Sequence, residues 1–119
     1  MKIASLLSVL SFVIVGLAHA DDDFSRKYVL RTLTYALELQ TKCSSWKMKD
    51  SMFADLLAEG KVDPKDVLPG GKFSELYVEY AGYAAQELKN LNGERACRVA
   101  EFDFGPNGNI AQNFMTRVR

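Results

Sequence analysis

The chain has 119 residues, with 15 basic and 15 acidic side chains, and a length that suits one domain. Balanced charge leaves no basic surplus to neutralise phosphates, which sets nucleic-acid binding aside. Its single histidine is His19 and its only cysteines are Cys43 and Cys97, so the usual side chains of metal and nucleophilic chemistry are scarce.

Residues 1–20 predict a cleaved signal peptide. Lys2 gives a short positive start, Ile3 to Leu17 is an apolar run broken only by serines and Gly16, and Ala18-His19-Ala20 is a small-x-small cleavage site. The run is shorter than the roughly 20 residues of a spanning helix. The expected mature chain is therefore a single helical domain, residues 21–119, with no membrane anchor, in a periplasm or outside the cell. Removing Lys2 leaves one acid in excess. In an exported chain, two cysteines and no C-x-x-C read as a disulfide, Cys43–Cys97. It closes a loop of about 55 residues, for which chain entropy gives roughly 4 kcal/mol. That is comparable to the net stability of a small domain.

In chain order, a first helix is expected from Ser25 to Ser44. Lys27, Arg31, Thr34, Glu38 and Lys42 share about one third of its circumference, and apolar side chains fill most of the rest. Such a helix belongs at the centre of a bundle, or carries a second apolar face for a partner. A second helix, capped by Asp50 or Ser51, follows from the spacing of Met52, Phe53, Leu56 and Leu57, with Gly60 as a left-handed carboxyl cap. Asp63-Pro64-Lys65-Asp66 predicts a short capped turn to Leu68, and Pro69-Gly70-Gly71 ends it. A third helix is expected from Ser74 to Leu91, stopped by Asn92-Gly93, and a fourth from Glu94 to Phe104 carries Cys97. After the turn Gly105 to Gly108, Asn109 can cap a final helix whose Ile110, Ala111, Phe114, Met115 and Val118 share a face. No strand is required. The predicted fold is all-α, a bundle of four to five helices stapled by one disulfide.

Chemistry is sparse along this chain. With His19 removed, His-dependent triads, His-ligated metals and the usual general base are gone. Glu75 and Glu79 lie one turn apart but on the polar face of their helix, where no cleft would raise a carboxyl pKa for hydrolysis. Asp103 to Asn109 opens like a calcium loop, but Phe114 stands where the bidentate glutamate belongs. Met48 and Met52 lack a third soft ligand and read as core. No catalytic residue, cofactor or metal is expected, and the chain reads as a non-enzyme.

Aromatics carry the one functional slant. Tyr77, Tyr80 and Tyr83 recur every three residues, and Tyr28 and Tyr35 add a pair on the first helix. Tyrosine suits surfaces with one wet end, protein interfaces among them. Leu30 and Leu37, one heptad apart at the margin of the first helix, and Tyr83, at the edge of the third, form the candidate partner surface.

In signal peptide, length, helical pattern and two cysteines, the chain resembles in type the acid-stress chaperones of the bacterial periplasm. It is similar in the same way to the immunity proteins that neutralise injected cell-wall amidases. Neither resemblance transfers a functional residue. The expected function is binding of a protein partner, or of a second copy of the chain, in an inhibitor, immunity or accessory role. The alternatives are an acid- or stress-responsive chaperone and, more remotely, a small carboxylate hydrolase.

Overall fold

The computed structural model describes residues 18–118, with side chains from Asp22 onward. Of the leader expected over residues 1–20, residues 1–17 lie outside the described residues and 18–20 begin the first helix. Helix α1 spans Ala18–Lys42, 25 residues, or about 37 Å at the helical rise. It starts ahead of the expected Ser25 because the acidic run is part of the helix. Asp23 pairs one turn on with Arg26 at 3.1 Å and with Lys27 at 3.2 Å. These solvent-screened pairs add only modest support to the first turns of the helix. Lys42 closes the last turn, where a cation suits the helix dipole.

α1 is the axis of the molecule. Val29, Leu30, Leu33, Ala36 and Leu39 have no solvent exposure, and the helix packs against every other helix as well as a strand. Helix α2, Asp50–Glu59, buries Leu56 and Leu57 against it. Gly60 ends α2 but is not its left-handed residue: its φ is −90°, and Lys61 takes φ 58° instead. Glycine is needed for a different reason. A Cβ at Gly60 would lie 3.1 Å from the Val29 side chain and 3.3 Å from the Arg26 backbone. The end of α2 can approach α1 closely only without that atom.

A 3-10 turn, Pro64–Val67, carries the expected reciprocal cap. Lys65 N donates to Asp63 Oδ1 at 3.0 Å, and Asp63 N donates to Asp66 Oδ2 at 3.2 Å. Helix α3 then spans Ser74–Glu87 and helix α4 Gly93–Phe104. α3 stops short of the expected Leu91. Asn92-Gly93, expected to end it, instead begins α4, because Asn92 Oδ1 accepts from Arg95 N at 2.8 Å as an amino-terminal cap. Cys43, just past α1, is bonded to Cys97 in α4, with Cα atoms 5.0 Å apart.

The carboxyl-terminal segment departs from expectation. Residues 109–118 form no helix; they turn and then pair as a strand. β1, Trp46–Met48, runs antiparallel to β2, Met115–Arg117, with Trp46 opposite Arg117 and Met48 opposite Met115. Val118 N to Ser45 O at 2.8 Å and Lys49 N to Phe114 O at 3.2 Å extend the ribbon. The apolar residues expected to line a helix are still mostly inside: Ala111, Phe114 and Met115 are buried. They reach the core through turns, with Asn113 at φ 58°. The ribbon wins because residues 46–48 alternate buried, exposed, buried and carry backbone groups that need a partner. Phe104 is the largest fully buried side chain, its ring 5.3 Å from Phe114 and 6.0 Å from Tyr35.

Candidate functional site

Of the residues expected to meet a partner, Leu30 is fully buried and Leu37 half-buried against the core, while Tyr83 is 59% exposed. Leu30 is not at a margin, since the bundle closes round α1 on that side too. The three side chains do not form one surface. Cys43 and Cys97 are joined in the disulfide described above. Glu75 and Glu79 are exposed, and Glu79 Oε2 accepts from the Tyr83 hydroxyl at 2.7 Å. The Asp103 side chain turns into the bundle instead of toward a loop-bound cation. Among the described residues, no three His, Cys, Asp or Glu side chains group as a metal site.

The tyrosines assemble differently. Between α1 and α3 lies an open groove of about 910 Å³. α1 lines it with Tyr28, Arg31, Thr32, Thr34 and Tyr35, and α3 with Tyr80, Tyr83, Ala84 and Glu87. Apart from Thr34, both sets follow the i, i+3, i+4, i+7 spacing of a single helix face. Asn109 and Ile110 contribute from the turn after α4. Ala84 is buried and small enough to let the helices approach, while the tyrosines beside it hold the upper walls apart. Tyr80 and Tyr83 meet edge to face with centroids 6.1 Å apart, and Phe24 stacks on Tyr28 at 6.3 Å.

Beneath the groove the Tyr35 hydroxyl donates to Asp103 Oδ2 at 3.0 Å. Asp103 is only 8% exposed, and its backbone carbonyl also accepts from Ile110 N at 2.9 Å and Ala111 N at 3.0 Å. The residue therefore fixes the turn that closes the groove. Burial pushes the Asp103 carboxyl above its ordinary range; the Tyr35 hydrogen bond opposes this and the Glu87 charge adds to it. Burial, then the Asp103 and Glu87 charges, holds the Tyr35 phenol well above its ordinary range. The Tyr83 phenol is raised first by its hydrogen bond to Glu79.

All four tyrosines of the groove stand out in the sequence, but Arg31 and Glu87 do not as their companions, nor does Asp103 as their support. The available signal was the identical spacing of 28/31/32/35 and 80/83/84/87 on two helices expected to be neighbours. Fold and site together define a small disulfide-stapled helical bundle with a tyrosine-walled groove and a buried carboxylate below it. The chain matches no protein-family description, no curated protein and no solved structure.

Proposed function

We propose that this protein is an exported, non-enzymatic binding protein that seats a segment of a protein partner in the groove between α1 and α3. The observation that carries the reading is the groove itself, with four tyrosines on facing helix surfaces. Such side chains offer large contact area at low entropic cost and keep a polar end for hydrogen bonding. The disulfide suits an oxidising compartment, and no described helix is long and apolar enough to cross a membrane. An acid-opened chaperone has less support. Asp103, one of two buried carboxyls among the described residues, has a raised pKa, which favours the folded state at low pH rather than opposing it.

Photo-crosslinking tests the proposal. A benzophenone amino acid placed at Tyr83 should give one discrete adduct in the envelope fraction of the native host. The same group at Phe102, 68% exposed on α4, should give none. An adduct of twice the chain mass identifies the partner as a second copy. No adduct at position 83, or equal adducts at both positions, refutes the proposal.

A further inference from the structure

The hydrogen-bond directions in the groove select the kind of group it holds. Tyr35 spends its only hydrogen on Asp103 and Tyr83 spends its own on Glu79, at 3.0 and 2.7 Å. Both phenol oxygens therefore meet a ligand as acceptors, and donation to a carboxylate increases their electron density. Glu87, which lines the same groove, is exposed and has no ion pair among the described residues. Tyrosine ring faces add further negative potential.

We infer that the groove is a cation site, seating a lysine or arginine side chain between the Tyr35, Tyr80 and Tyr83 rings and the Glu87 carboxylate. Ammonium and guanidinium groups are donors only, so they complement a corner where the Tyr35 and Tyr83 phenols can only accept. Each also gains from an aromatic face. Arg31 lines the same groove as its own cation. Glu87 is exposed and has no ion pair among the described residues, so its charge is available to a ligand. At the other charge sign, Arg31 is available to a carboxylate further along a bound segment. The ligand that fits is a basic residue of the partner proposed above, and the assignment rests on that reading of the groove.

The test uses small probes and the full mature chain. Acetyl-arginine amide, acetyl-lysine amide, acetyl-citrulline amide and acetyl-glutamate amide are titrated into isotope-labelled protein, and amide shifts are followed by NMR. The arginine and lysine probes should move the signals of Tyr35, Tyr83, Glu87 and Asn109. Citrulline, which keeps the shape of arginine without the charge, should bind about tenfold more weakly. Glu87→Gln, at an exposed position, should weaken the arginine probe several-fold with the fold intact by circular dichroism. Asp103→Asn, which can still accept from Tyr35, should weaken it less. Equal binding of citrulline and arginine, stronger binding of the glutamate probe, or shifts away from the groove would each overturn the cation assignment. A crosslink at position 83 without cation preference would sink this inference and leave the binding reading standing. Cation binding with no crosslink would do the reverse.

Discussion

Tyr35→Phe isolates the bond on which the groove floor depends. The substitution removes one oxygen and leaves the ring against Phe104, so packing loss is small. What remains is Asp103, 8% exposed, without its phenol donor. A hydrogen bond to a charged group contributes about 1.5–3 kcal/mol. Asp103 lies directly under an open groove that water can enter, so the lower end applies, and the expected loss at pH 7 is about 1.5 kcal/mol. The pH dependence gives a second check. In the folded state the Asp103 carboxyl is raised by burial and by Glu87 across the groove, and Tyr35 opposes that rise. A carboxyl whose folded pKa is raised favours folding below its unfolded pKa, and that contribution is lost as pH climbs through the folded value. Removing Tyr35's hydroxyl raises the folded value further, so the variant should suffer more at pH 7 than at pH 3. At pH 3 the carboxyl is protonated and a neutral hydrogen bond of about 1 kcal/mol is at stake. Urea unfolding at both pH values measures the two losses. A loss at pH 7 below about 0.3 kcal/mol, or a larger loss at pH 3, refutes the account of this pair.

Replacing Cys43 and Cys97 together by alanine releases a constraint spanning 54 residues. It should cost about 4 kcal/mol in urea unfolding, and reductant should lower the unfolding free energy of the wild type by a similar amount. Two glycines should respond with opposite signs. Gly60→Ala meets Val29 and Arg26 at 3.1–3.3 Å and should lower stability by about 1–2 kcal/mol. Gly82→Ala, with nothing within 4 Å of the new carbon, should raise stability by about 0.5–1 kcal/mol through helix propensity. Thermal melts separate the pair. Leu30→Ala should cost about 2–5 kcal/mol as a core cavity, and Leu37→Ala roughly half as much, in proportion to its burial. Equal, small effects at both would contradict the burial assigned to Leu30.

The parts of the fold that depend on local chemistry were readable from the residues. α1 declared itself central because its apolar positions run round most of its circumference, and every other helix does pack on it. The Asp63/Asp66 cap was legible because both partners lie within one turn. Errors arose where one residue type serves two purposes. Gly60 is small for the sake of Val29 rather than left-handed, and Asn92 can end one helix or begin the next. The ribbon was hidden for another reason. Three-residue strands are too short to display a period, and Trp46 finds Arg117 only across the whole of the intervening fold. The groove stood between these cases. Its tyrosine stripes were visible on each helix, but whether they face one another depends on how two helices are rotated about their axes. Neither stripe encodes that alone.

The ribbon between Trp46–Met48 and Met115–Arg117 also orders events in time. β1 lies early in the chain, and its partner follows all of the helices and Cys97. β2 is the last of the described elements along the chain, so β1 waits for its partner while the helices are already present. Until then residues 46–48 have an unpaired strand edge, the kind of surface on which chains pair with one another. A chain cut before Met115 would lose that pairing and leave the edge of β1 open, together with the core place that Met115 fills.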